Sequence, residues 1–389
     1  MAKIKQDRLF VKDYLFIASI WFCAFAGLLS DSINKLALYG VVPTLFVITF
    51  LSSRRIITNK YMNLLSALFL WILFSVLWAT NIELALVQVH QILGAFILCY
   101  IFCVKGQNEK YLPGLYLSFI VLLIGDWYYA YNNMFDVMNL GVDRLNDHKL
   151  NANTFGYHTF YATFSVFILG EWDWKIKKVL RALFLLMIPL SFITAIYTAS
   201  RQILLIQTPL ILLLLYGRYY KSSRLIMKLV TLIILVVTIV IFAPKVNQLY
   251  DGSTLQKRNE VEVKDDVRVK LMADAFKVGN NHFPLGVGAN NYMIYSFDQH
   301  FSHNTYLELY ANEGVIGVLL YVAMLGVFLK RQLTRYLKTK DLMFFYFLVA
   351  GVTFAVDGFF YVFYPYLWLI SFFILIATHG ETYYKKYTR

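Results

Sequence analysis

The sequence predicts an all-α integral membrane protein, a single polytopic domain over residues 1–389 with about 12 transmembrane helices. Three observations carry that reading. Of the 389 residues 59% are hydrophobic and only 15% charged, whereas an average soluble domain carries roughly 25% charged residues. The apolar residues gather in runs near the length a bilayer demands, about 20 residues each. The basic residues fall in alternate gaps between those runs, the pattern of the positive-inside rule. The same composition excludes disordered, collagen-like and disulfide-stapled secreted chains.

The runs lie at residues 14–30, 36–52, 61–79, 84–104, 111–132, 153–170, 180–197, 202–217, 229–243, 304–329, 342–356 and 358–378. Residues 14–243 hold the first nine, 244–302 form a long outer loop, and 303–389 hold the last three with a basic tail. Only Ser200 and Arg201 part the seventh run from the eighth, and only Asp357 parts the last two. Each of those pairs reads as a tight hairpin or a broken helix.

With both termini inside, the inner gaps receive clusters such as Lys3, Lys5, Arg8 and Lys12, or Lys330, Arg331, Arg335, Lys338 and Lys340, and finally Lys385, Lys386 and Arg389. Most of the 36 Lys and Arg are then inside and most of the 23 Asp and Glu outside. The net charge of +13 is thus an orientation signal, and no nucleic-acid partner is needed to explain it. Cys23, Cys99 and Cys103 all sit in apolar runs, as small packing residues. Ala24-Phe25-Ala26 imitates a signal-peptidase site, but the apolar run continues past it, so an uncleaved first span is expected.

Two outer segments are longer than a turn, residues 133–153 and 245–302, and long loops are where function concentrates. The second carries seven basic and seven acidic residues, so any anion site in it must come from particular side chains. After Asp266, the residues Val267, Leu271, Met272, Ala275 and Phe276 have helical spacing, and Asn280, Asn281, Pro284 and Gly286 end the pattern. This reads as an amphipathic helix across the outer mouth of the bundle, or more plainly as a surface helix covering apolar ends.

Arg201 is the most informative single charge: it stands between two apolar runs with no acidic neighbour in sequence. Such an arginine faces a cavity, a partner or a substrate, or else reaches the outer headgroups. Arg268, on the loop helix, has Asp265 and Asp266 within pairing reach in sequence. His303 follows Ser302, an expected helix N-cap, which puts the imidazole in a first helical turn where the dipole favours its neutral, proton-accepting form; capping or hydrogen bonding is the other reading. His300, His303 and His282 lack the cysteine or carboxylate partners of a familiar metal site, so no metal is expected. Gly286-Val287-Gly288 lacks the third glycine of a dinucleotide fingerprint and reads as a tight turn re-entering the membrane. His90, Asp126 and His158 lie in or near spans, as relay groups or as interior hydrogen-bonding groups.

Taken together in order, several of these pieces resemble the bacterial O-antigen ligase and polymerase superfamily. They are Ser200-Arg201-Gln202, Arg268 with Ala275, Pro284-Leu285-Gly286-Val287-Gly288, His303-Asn304-Thr305-Tyr306-Leu307-Glu308, and Glu313-Gly314-Val315-Ile316-Gly317. Arg144 followed by Asn153, Phe155 and Gly156 is similar to that family's arginine and asparagine signature. The resemblance covers about Arg144 to Gly317; Met272 stands where many relatives have tryptophan, and the first five spans match only in hydrophobicity.

The resemblance implies a C-type membrane glycosyltransferase in the cytoplasmic membrane of a bacterium, with its active site on the outer face and no nucleotide sugar, metal or cofactor. Its donor is a polyprenyl-diphosphate-linked glycan, such as an undecaprenyl diphosphate repeat unit. Arg201 and Arg268 then grip the diphosphate, and His303 takes the proton from, or orients, the acceptor hydroxyl. Arg144, Asn153, Asn304, Glu308 and Glu313 are the expected substrate-binding group, with Glu308 or Glu313 alternatively orienting His303. Attack opposite the leaving group inverts the anomeric centre. The expected function is a polymerase of O-antigen or capsule-like polysaccharide, acting beside flippase and chain-length regulator proteins. The alternative is a ligase onto lipid A-core or another terminal acceptor in lipopolysaccharide assembly. A twelve-span transporter is the rival from another class, but its usual related halves and central inner loop are not apparent here.

Overall fold

The computed structural model describes residues 9–53, 58–133, 151–171, 176–220 and 267–388. The ninth apolar run, Arg144 and the loop before residue 267 lie outside the described residues. All the regular structure among the described residues is helical. In chain order the helices are α1 (Val11–Ala26), α2 (Asp31–Leu36), α3 (Val42–Ser53), α4 (Lys60–Ser75), α5 (Ile82–Gly106), α6 (Leu112–Asn133) and α7 (Ala152–Leu169). They continue as α8 (Lys177–Tyr197), α9 (Arg201–Leu215), α10 (Val267–Asn281), α11 (Tyr292–Tyr295), α12 (Thr305–Thr339), α13 (Leu342–Asp357) and α14 (Leu367–Tyr387). A π-helical turn, Ala37–Val41, joins α2 to α3.

Six stretches among the described residues are long and apolar enough to cross a membrane: Asp31–Ser53, Lys60–Trp78, Ile82–Gly106, Leu112–Asn133, Lys177–Tyr197 and Thr305–Thr339. The remaining helices that fall on apolar runs are shorter or more polar. α7, for example, carries Asn153 and His158, and α14 carries His379 and Glu381.

The chain divides into two compact units. The first comprises Met1–Val41, Glu109–Glu260 and Lys340–Ala350. In it α6 packs on α1 and α7, and α8 packs on α7 and α9. Its interior is tied by polar contacts between helices, as expected where the surroundings are as apolar as the core. His158 Nδ1 on α7 lies 2.7 Å from Asp126 Oδ2 on α6, both buried. Gln207 Nε2 on α9 donates to the carbonyl of Gly156 at 3.2 Å, and Ser191 Oγ on α8 donates to Gln207 Oε1 at 3.1 Å. The seventh and eighth runs form a tight helical hairpin. Ala199 takes a left-handed backbone (φ 48°), and the Ser200 N–H returns to the Ala195 carbonyl at 3.0 Å, a C-cap that leaves only Thr198, Ala199 and Ser200 between α8 and α9.

The second unit comprises Val42–Asn108, Val261–Thr339 and Gly351–Arg389. α5 packs on α3, α4 and α14, while α12 packs on α4 and α10. α4 shows the logic of a lipid-facing helix. Tyr61, Leu65, Leu68 and Ile72 are buried on one stripe, and Leu70, Leu73 and Phe74 are exposed on the other. Both stripes are apolar, which suits a helix between protein and hydrocarbon.

In the second unit two boundaries and one packed face differ from the sequence expectation. The last span begins at Leu367, because Gly358–Tyr366 is a connecting segment tied to the start of α12. α12 continues as helix to Thr339, carrying its basic cluster beyond the expected end near residue 329. On α10 the buried residues are Leu271, Ala275, Val278 and Gly279, while Val267 and Phe276 are exposed. The packed face is therefore rotated from the predicted one, because Tyr310 of α12 fills the space beside Gly279 and its hydroxyl donates to Asn280 Oδ1 at 2.8 Å.

Candidate functional site

The N-terminus of α12 is capped by Asn304, not by Ser302 as its sequence suggests. Asn304 Oδ1 accepts the N–H groups of Tyr306 and Leu307, both at 3.0 Å. Ser302 instead builds the turn before the cap: its Oγ donates to the Asn304 carbonyl at 3.0 Å and accepts the Asn304 N–H at 3.2 Å. His303 therefore stands just outside the helix, with a left-handed backbone (φ 56°). A residue with a Cβ adopts that conformation rarely, and strain of this kind collects at functional sites. The half-buried imidazole lies beside two aromatic rings, Phe301 at 4.3 Å and Tyr361 at 6.5 Å between centroids.

The segment Gly358–Tyr366 locks this turn from the other side. The Thr305 N–H donates to the Gly358 carbonyl at 2.7 Å, and Thr305 Oγ1 donates to the Tyr361 carbonyl at 2.6 Å and accepts the Phe363 N–H at 3.0 Å. Asn304 Nδ2 reaches the Phe359 carbonyl at 3.2 Å. Sequence reasoning missed these residues by reading an aromatic, apolar stretch as the start of a span; Pro365 among tyrosines was the available sign of a connection.

A buried polar chain runs from the His303 turn to the loop helix α10. The Ser302 N–H donates to Glu308 Oε2 at 2.6 Å, and Asn312 Nδ2 donates to Glu308 Oε1 at 3.0 Å. Asn312 Oδ1 accepts the Tyr292 N–H at 2.7 Å, and the Tyr292 hydroxyl donates to the Leu271 carbonyl at 2.8 Å. Burial pushes the Tyr292 phenol up from its ordinary pKa, so the hydroxyl stays protonated and a donor. Leu271 is one turn along α10 from Arg268, itself partly exposed near the helix start. Two expected functional residues are thus held on backbones joined by one hydrogen-bonded path.

The two glycine-bearing motifs meet at a break in α12. Gly314 has φ 66° and ψ −163°, so the helix opens there. The carbonyls of Ala311 and Asn312, freed of their helical partners, accept the N–H groups of Val287 and Gly288 at 2.9 and 2.8 Å. In return the Val315 N–H donates to the Pro284 carbonyl at 3.0 Å. The Gly286-Val287-Gly288 turn is therefore docked on the break and satisfies it, as buried backbone groups require.

Glu308 is 3% exposed and Glu313 is fully buried. Gln88 of α5 donates through Nε2 to Glu313 Oε1 at 3.3 Å and to the Tyr364 hydroxyl at 2.5 Å, while Trp71 Nε1 donates to the Glu313 carbonyl at 2.8 Å. Gln88 was not legible as a site neighbour, because one glutamine in an apolar run carries no pattern.

In the first unit Arg201 is the opening residue of α9, and its side chain lies outside what the structure describes. Asn153 is buried in the first turn of α7, its N–H held by the capping Asn151 Oδ1 at 2.9 Å. Among the described residues no three His, Cys, Asp or Glu side chains come together as a metal-binding group. His282 Nδ1 lies 3.0 Å from the Val278 carbonyl, and His300 Nδ1 lies 2.5 Å from that of Asp298.

Residues 182–322 match the O-antigen ligase family. The matched stretch contains Arg201, Arg268, His303, Asn304, Glu308 and Glu313, whereas Arg144 and Asn153 precede it. The similarity read from the motifs thus holds over this part of the chain. The search of curated proteins finds no match.

Proposed function

We propose that this chain is a membrane-embedded glycosyltransferase that moves a glycan from a polyprenyl-diphosphate carrier onto a sugar hydroxyl of another lipid-linked repeat unit, a surface-polysaccharide polymerase. The observation that carries the reading is the His303 turn: an imidazole in strained backbone, locked by Asn304, Thr305 and Glu308, within a stretch similar to O-antigen ligase.

His303 takes the proton of the acceptor hydroxyl as that oxygen bonds to the anomeric carbon, and the bond to the diphosphate oxygen breaks on the opposite face. Negative charge grows on the departing diphosphate. Arg268 and Arg201 are the residues proposed to receive it, each charge-assisted hydrogen bond contributing about 1.5–3 kcal/mol. Arg144 and Asn153 are proposed to bind lipid phosphate or sugar. Phe301, partly exposed beside the imidazole, offers an apolar ring face to a sugar, and the buried Tyr361 ring packs against both. Glu308, with both oxygens engaged by Ser302 and Asn312, acts by positioning His303. Transfer to a terminal acceptor such as lipid A-core is the second reading, since it uses the same donor chemistry and is supported by the family similarity.

The test is transfer by purified protein in nanodiscs, with a polyprenyl-diphosphate repeat unit as donor and acceptor. A ladder of longer lipid-linked products from wild type and none from His303→Ala supports polymerisation. Folded protein that acts only on a terminal acceptor replaces it with the ligase reading, and inactivity on both sinks the transferase assignment.

A further inference from the structure

The end of the second unit remote from His303 contains a cavity that the transfer chemistry does not use. Arg331 lies 26 residues into α12, about 40 Å along the helix from its first residue at 1.5 Å per residue, more than the roughly 30 Å of a bilayer's hydrocarbon core. There the ends of α4, α5, α12 and α14 surround a space of about 180 Å³, whose lining includes Asn59, Lys60, Arg331, Glu381, Thr382 and Lys385. At about 30 Å³ per water molecule of liquid, that space holds roughly six waters, enough for a hydrated phosphate group.

The charge of the cavity is surplus positive, and part of it is fixed in place. Glu381 Oε1 accepts from Arg331 at 2.6 Å and from the Tyr61 hydroxyl at 2.8 Å, and Glu381 Oε2 accepts from Arg335 at 2.7 Å. Two guanidinium groups thus share one carboxylate, so Arg331 is oriented while half of that cationic charge stays uncompensated. Lys60 and Lys385 stand exposed on the lining, and neither forms an ion pair among the described residues. Asn59 is itself engaged, its Oδ1 capping α4 and its Nδ2 donating to Thr378 at 2.9 Å, so the polar wall is pre-ordered.

The surroundings are those of a lipid interface. Leu333 and Leu337, in the same last turns of α12 as Arg331, are exposed, and α14 ends in Tyr384, Lys385, Lys386 and Tyr387, the aromatic and basic pairing found where a helix leaves a membrane. Cations gathered at the end of helices whose lipid-facing sides are apolar favour a ligand with an anionic head and an apolar body. We infer that this cavity binds the phosphodiester headgroup of an anionic phospholipid, with Lys60, Arg331 and Lys385 as its cationic contacts.

The test is native mass spectrometry of the full chain released from nanodiscs of phosphatidylcholine with and without phosphatidylglycerol. Wild type is expected to retain phosphatidylglycerol at least about tenfold over phosphatidylcholine, and the Lys60→Gln, Lys385→Gln double variant to lose that preference. Lys338→Gln with Lys340→Gln, which removes equal charge from residues outside the cavity lining, should keep it. Equal retention of both lipids by wild type, retained preference in the first double variant, or equal loss in both double variants overturns the site. Inorganic phosphate alone abolishing phosphatidylglycerol retention at low millimolar concentration overturns the lipid as its occupant.

Discussion

The carboxylate of Glu308 accepts the backbone N–H of Ser302 at 2.6 Å, across the cap of α12 and one residue before His303. Asn304 fixes where the helix starts, but Glu308 fixes how the chain arrives there. Its second oxygen is taken by Asn312 Nδ2, whose partner atom Oδ1 holds the Tyr292 N–H, so the arrival angle depends on three elements at once.

Removing one of those acceptors should loosen the turn without unfolding the unit. Glu308→Gln has one oxygen where the wild type has two, so either Ser302 or Asn312 loses its acceptor. The expected result is a transfer rate lower by at least about tenfold with KM nearly unchanged. Glu308→Ala should also lose stability, about 1.5–3 kcal/mol for a hydrogen bond to a charged group. A kinetic series beside thermal unfolding separates the two, and wild-type turnover by Glu308→Ala would falsify the positioning role.

Gly314 and Gly326 lie in the same helix and should respond oppositely to alanine. A Cβ on Gly314 would stand 2.0 Å from the Pro284 carbonyl oxygen, on a backbone of φ 66° that alanine disfavours, and the Pro284 segment is itself hydrogen-bonded to the break. Gly314→Ala should cost more than about 3 kcal/mol through clash and strain, seen as sharply reduced folded protein. A Cβ on Gly326 meets nothing within 4 Å, so Gly326→Ala should be neutral or gain roughly 0.5–1 kcal/mol. Fluorescence-detected size exclusion with heating measures both; equal behaviour would show that the break does not hold the unit.

What the sequence made legible was whatever has a period or a composition. The spans follow from apolar run length, and α10 follows from the spacing of Leu271 and Ala275, which are indeed buried. The site motifs were legible as residue types in order, and their relation was not. Nothing local says that Gly314 breaks a helix so that Val287 and Gly288 can pair with the carbonyls before it, because those bonds join segments over twenty residues apart. Ser302 looked like the cap because serine is a good one, yet Asn304 is also a good one, and the neighbouring Gly358–Tyr366 segment accepts its side-chain amide. Tertiary hydrogen bonds chose between two locally adequate caps.

Arg268 and Arg201 are tested best by changes that keep charge. Lysine is a point charge, whereas a guanidinium can present two parallel donors to a phosphate. Arg268→Lys and Arg201→Lys are each expected to cut transfer by at least about tenfold, with protein yield unchanged, at a charge-assisted hydrogen bond's worth of about 1.5–3 kcal/mol. Rates measured across donor concentrations read the effect. Wild-type rates in either variant would remove bidentate phosphate recognition from that residue's role.

His303 itself allows chemistry to be separated from backbone shape. Asparagine tolerates the left-handed region nearly as well as any residue with a side chain, so His303→Asn should keep the turn, the Asn304 cap and the thermal stability of wild type. It offers no group able to take a proton near neutral pH. Transfer is therefore expected to fall by roughly 10²–10⁴-fold, the usual contribution of a general base. His303→Val retains neither property, since a β-branched side chain is an outlier at φ 56°, and should lose stability as well. If His303→Asn transfers at the wild-type rate, the imidazole is a turn residue, and the base must be sought elsewhere in the matched stretch.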